Sequence, residues 1–225
     1  MFKFLDPNTL SRVYRDPMAW VILAVDLFPI IAVLTLGWGA AALVFLYWLE
    51  NLIIGVVTLA KMIATSVKES PAGLIAMGFV GPFFIVHYGM FCFVHGVFVS
   101  VFANLSEGGT PGFPTPLGLI QEALSSGANM PTFVFAIIGV QVVLFVQDYV
   151  LRGAYLETSI DKEMMAPYGR IIVLHIGLFA GAFALVALGE PMIGILALIL
   201  LRALWGVVLT VRRRLRLDSA LQTKS

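Results

Sequence analysis

Long apolar runs separated by short polar clusters set the pattern of this chain. A hydrocarbon core about 30 Å thick needs about 20 apolar residues per helical crossing, and six stretches meet that requirement: 17–36, 38–65, 74–103, 131–151, 169–188 and 191–211. The pattern predicts an all-α, polytopic membrane protein, one transmembrane domain over 1–225 with six transmembrane helices. The polar stretch MFKFLDPNTLSRVYRDP precedes the first run and no A-x-A cleavage pattern follows it, so that run reads as a mature helix and not as a signal peptide. Asp16 and Pro17 occupy its cap and first-turn positions. Very short connections join the first to the second run and the fifth to the sixth, which predicts antiparallel neighbours. The 104–130 loop is longer and rich in Gly and Pro, and its PLGLIQEALSSG reads as a short interfacial helix. Such a loop is either a lid or a spacer. Pro167 predicts a fresh helix start at Tyr168, and Gly81 with Pro82 marks a place where the third helix is able to kink. Gly177 and Gly181 form a G-x-x-x-G pair, read as close helix packing.

Charge placement adds orientation. Lys3, Arg12 and Arg15 precede the first helix, and Lys61 and Lys68 lie between the second and third. Arg152, Lys162 and Arg170 flank the connection from fourth to fifth, and Arg212, Arg213, Arg214 and Arg216 follow the sixth. The alternate connections contain no Lys or Arg, so the positive-inside rule predicts that both termini are cytoplasmic. RRRLR then reads first as a topology anchor. Only 12% of the 225 residues are charged, about half the share of a soluble domain. Soluble enzymes, disordered linkers and nucleic-acid-binding modules are excluded on that ground, and the lipid bilayer is the expected partner. The net charge of +1 says little, and the one cysteine rules out an internal disulfide.

Ionisable side chains at bilayer depth are costly and are default functional candidates. Asp26, Glu50, His87, His95, Asp148, His175 and Arg202 all fall in predicted helices. Counting about 1.5 Å per residue from the cytoplasmic ends places Asp148 at roughly 5 Å, His175 at roughly 9 Å, and Asp26 and Arg202 at roughly 13 Å. His87 follows at roughly 18 Å, Glu50 at roughly 21 Å and His95 at roughly 30 Å. Arg152 stands one turn after Asp148, which predicts an i,i+4 ion pair. Glu50 is too deep to snorkel and shares a face with Tyr47, Asn51 and Thr58. Its options are protonation, pairing with Arg202 or ligating a cation. In HYGMFCFVHG the two histidines lie about 12 Å apart along the axis and about 80° around it, so His87 and His95 are not expected to share an ion.

Glu50, His87 and His175 come from three helices. Together they supply the two imidazoles and one carboxylate of an open zinc site, whose vacant position activates water. Asp26 is then the general base or fourth ligand, and Asn51, His95, Asp148 and Arg202 form a surrounding polar relay. The first functional expectation is thus a buried site for zinc or another divalent transition metal, in a membrane-embedded hydrolase acting on a lipid-soluble or membrane-borne substrate. A second is a proton- or ion-coupled carrier that uses the same residues as a relay. A third is a scaffold without catalysis, in which polar groups lock helices together. No G-x-S-x-G elbow, P-loop or C-x-x-C-H motif occurs. The sequence is compatible with a homo-oligomer.

The segments YWLENLIIG, FFIVHYGMFCFVHG and PYGRIIVLHIG, taken together, resemble an uncharacterised family of bacterial integral membrane proteins, domain of unknown function 6498. The resemblance covers the second to sixth helices. It implies residence in the bacterial inner (cytoplasmic) membrane and puts Glu50, Asn51, His87, His95, Tyr168, Gly169, Arg170 and His175 at the family's motif positions. The family's pattern has a Lys where Arg202 stands, followed by further polar residues. Here ALWGVVLTVRRR is apolar before its basic run, which puts in doubt any role for the end of the last helix. The family's name implies no activity.

Overall fold

The computed structural model describes residues 11, 13–68, 71–106, 113–172, 175–176, 179 and 203–215, and among them there is no β-strand. The long helices are α1 (Pro17–Leu36), α2 (Ala40–Lys68), α3 (Pro71–Ser106) and α5 (Met130–Leu144), with the short α4 (Pro116–Ser125) between the last two. A π-helical stretch, Phe145–Leu151, continues α5, and a 3-10 turn, Ala154–Glu157, leads to α6 (Ile160–Met165). Residues 168–172 and 203–215 are also helical. Four helices are long and apolar enough to cross a membrane: Pro17–Leu36, Ala40–Lys68, Gly73–Asn104 and Met130–Leu151. The predicted fifth and sixth crossings, with Arg202 and the Gly177–Gly181 pair, lie largely outside the described residues.

Helix α1 begins where the cap chemistry places it. Asp16 is extended and accepts a hydrogen bond from Met18 N at 3.0 Å, Pro17 fills the first turn, and Gly37 ends the helix at φ 65°. Helix α2 is the hub. Every residue from Ala42 to Asn51 is buried, the all-round burial expected of a central helix. It packs chiefly on α3, then on α5 and α6.

Two reciprocal contacts join α2 to α3. The Trp48 indole lies over Gly96, where a Cβ would come within 2.7 Å of the ring, and its Nε1 donates to Cys92 O at 2.7 Å. Seven residues on, Tyr88 lies over Gly55 at 2.6 Å from the equivalent Cβ position, and its hydroxyl donates to Asn51 O at 3.0 Å. Each ring needs a residue without a side chain opposite it. Helix α3 is continuous through Pro82.

The connection between α3 and α5 is docked where it is described. Thr115 caps α4 through Gly118 N at 3.1 Å, and Leu119 and Ala123 are fully buried. Glu122 accepts from Ser100 Oγ at 2.8 and 3.0 Å. On the other side, the polar connection after the π-helix folds back on the bundle. Ile160 of α6 packs with Met62 and Tyr88, bringing Arg170 up beside the middle of α2.

Candidate functional site

A cavity of about 340 Å³ lies between α1, α2, α5 with its π-helical end, and the 203–215 helix. Apolar walls come from Ile54 and Val57 of α2 and from Ile137, Val140 and Leu144 of α5. Charged groups enter it from every neighbouring element: Asp26, Glu50, Lys61, Asp148, Glu163, Arg170, Arg212 and Arg213.

Glu50 forms an ion pair with Arg170, Nη1 to Oε1 at 2.9 Å, with only 5% of the Glu50 side chain exposed against 27% for Arg170. Arg170 stands in the first turn after Pro167, where its N–H donates to Pro167 O at 3.0 Å. Next to it, Gly169 gives room to the Trp205 ring of the 203–215 helix.

Asp148 anchors a second network. Arg152 Nη1 lies 3.0 Å from its Oδ1, the i,i+4 pair expected from the spacing. Arg213 reaches both Asp148 oxygens and also bonds Asp16 Oδ2 at 3.0 Å. Arg213 therefore ties the start of α1, the end of the fourth span and the 203–215 helix together. The π-helix positions these groups. Arg152 N bonds Gln147 O at 3.0 Å across five residues, and this wider turn buries the adjacent Asp148 and Tyr149 together. The Tyr149 hydroxyl shares a hydrogen bond with Thr65 Oγ1 at 2.6 Å and donates to Lys61 O at 3.2 Å.

Burial pulls the Asp16 carboxyl upward, but the Met18 N–H and the Arg213 and Arg152 charges outweigh it and hold the group below its usual range. A carboxylate lowered on folding stabilises the fold above its unfolded value, near pH 4, and that contribution is lost as pH falls through the folded value. Thermal unfolding in detergent from pH 7 down to 3 is expected to show this acid loss. The Asp16→Asn variant is expected to start less stable and to lose less below about pH 4. Parallel curves for the two proteins would remove Asp16 from the network's energetics.

The structure distributes the sequence-predicted site residues differently from the expected zinc site. Glu50, His87 and His175 do not converge, and among the described residues no three His, Cys, Asp or Glu side chains are grouped to hold a metal ion. Glu50 is turned to Arg170. His87 stacks on Phe83 at 5.2 Å between centroids and meets Phe91 edge-on at 5.2 Å. His175 meets His95 at 4.2 Å, and its Nδ1 donates to Ile171 O at 2.8 Å. His95 is buried, and its Nε2 has no hydrogen-bond partner among the described residues. Asn51 contributes its backbone carbonyl to Tyr88. Asp26 lines the cavity, its Oδ2 where a Cβ on Gly206 would fall. Arg202 lies outside the described residues.

Arg170 and Arg213 were missed as site residues because a basic residue near a helix end reads first as a topology marker. The available signal was their position: Arg170 in a Pro-Tyr-Gly-Arg first turn, and Arg213 one turn beyond the polar Thr210.

The model of a family of unknown function, DUF6498, matches residues 8–223 of the chain. No curated protein and no solved structure matches it.

Proposed function

We propose, for a chain that belongs to this family of unknown function, that the protein is a membrane-embedded carrier whose solute site is the cavity between α1, α2, α5 and the 203–215 helix. The observation that carries the reading is a cavity of about 340 Å³ with the Glu50–Arg170 ion pair in its wall. A bundle that only locks helices together fills its interior to crystal-like density, whereas small-molecule sites are apolar cavities of about 300–1,000 Å³ with a few placed polar groups. The lack of a grouped Glu50, His87 and His175 among the described residues favours this reading over the metal hydrolase. With the basic ends on the cytoplasmic side, the Asp148–Arg213–Asp16 network forms the inner rim and Glu50 with Arg170 lies deeper.

A carrier exposes its site to each face in turn. In a Cys92→Ser background, the Thr58→Cys and Val140→Cys variants place a thiol in the cavity wall. A membrane-impermeant maleimide is expected to label both positions in right-side-out and in inside-out vesicles, at rates within about tenfold of each other. Labelling from one face alone would leave a binding site without transport, and labelling from neither would leave a scaffold.

A further inference from the structure

Resting on that reading, we infer that the solute is an amphipathic anion, a carboxylate or phosphate head on an apolar body, and that Arg170 receives the head. Each acidic group with a known partner in the cavity wall is already engaged. Glu50 is covered and bonded to Arg170, Asp148 is held by two arginines, and Glu163 accepts from Thr158 Oγ1 at 2.9 Å. Arg170 is different. Its side chain is 27% exposed and lines the cavity. Among the described residues its guanidinium makes one hydrogen bond, through Nη1 to Glu50. A guanidinium carries five N–H donors in a planar fork, so most of the fork is left for a planar pair of oxygens, the bidentate geometry that carboxylate and phosphate satisfy.

The rest of the cavity defines the body of the ligand. Glu50 and Lys61 both line it and stand eleven residues apart on α2, which is about 16 Å along the helix. The walls include the apolar Ile54, Val57, Ile137, Val140 and Leu144 beside the uncharged polar Thr58 and Gln141. An inorganic anion would leave that apolar length unfilled, and an uncharged alkyl chain would leave the guanidinium fork facing hydrocarbon. The two sources of such an anion are a soluble alkyl acid and an anionic membrane lipid.

The test is protection of the cavity thiols. Thr58→Cys and Val140→Cys variants are reconstituted in phosphatidylcholine vesicles and treated with maleimide in the presence of decanoate, decyl phosphate, decanol or inorganic phosphate. Decanoate or decyl phosphate is expected to slow labelling at least tenfold, and decanol and inorganic phosphate less than twofold. Vesicles containing phosphatidylglycerol form a separate arm: protection there without any added amphiphile assigns the head to a lipid and supports the same chemistry. Adding Arg170→Gln is expected to abolish protection, whereas Glu50→Gln, which removes the competing negative charge from the fork, is expected to keep or strengthen it. The opposed effects separate ligand binding from misfolding, because either substitution breaks the same ion pair. Equal protection by decanol, or equal loss in Arg170→Gln and Glu50→Gln, would overturn the inference. Labelling from both faces without protection removes only the anion, and protection with labelling from one face removes only the carrier.

Discussion

Replacing Arg170 with Met is expected to destabilise the folded bundle by about 3 kcal/mol, the cost of removing one partner of a buried ion pair. Glu50 sits in the central helix with 5% of its side chain exposed, so its carboxylate cannot turn to water when the guanidinium is gone. Losing the guanidinium weakens the support of that charge, whether the group stays ionised or takes up a proton, and both cost free energy. The pair itself is weak evidence of net stabilisation, since an apolar pair of similar volume often does as well. A double substitution distinguishes these statements. Glu50→Gln with Arg170→Met is expected to recover more than half of the loss seen in Arg170→Met alone, measured by thermal unfolding in one detergent. A double variant no more stable than the single one would mean that Arg170 acts through its packing near Trp205 and not through its charge.

The pairing also shows where sequence reasoning reached its limit. Apolar run lengths located the four long helices, and Asp16 with Pro17 marked the start of α1 through local cap chemistry. The Asp148–Arg152 pair was legible because four residues on a helix are spatial neighbours. Glu50 and Arg170 are 120 positions apart, and counting from helix ends placed Glu50 at roughly 21 Å while Arg170 read as a basic flank of the connection from the fourth to the fifth helix. That count assumed that the connection after the fourth span stays outside the bundle. Ile160 packing against Met62 brings the connection inward and Arg170 with it. The histidines failed for a related reason. Spacing gives the angle between His87 and His95 within α3, but nothing local says which of the two faces His175. The π-helical turn at Asp148 left no trace in FVQDYVL, which reads equally well as regular helix.

A second tight constraint on the fold lies away from the charges, where Gly96→Ala is expected to cost about 2–4 kcal/mol, from overpacking together with a lost hydrogen bond. The added methyl would stand 2.7 Å from Trp48 Cε2 and Cζ2 and 2.9 Å from its Nε1, closer than real side chains approach. An exposed ring would swing aside at little cost. Trp48 is 2% exposed and is fixed by its donation to Cys92 O, so relief requires either losing that hydrogen bond or moving α3 away from α2. Moving α3 would also loosen Tyr88 over Gly55, because the two contacts share one pair of helices. Trp48→Phe in the Gly96→Ala background removes the larger ring and is expected to recover part of the loss. Trp48→Phe alone is expected to cost less than Gly96→Ala, since a shortened ring leaves a gap but displaces no backbone. Thermal unfolding of the three variants checks this order. If Gly96→Ala proved neutral, α2 and α3 would not be held at the separation that brings Asn51 to Tyr88, and the placement of Glu50 one residue earlier would lose its structural basis.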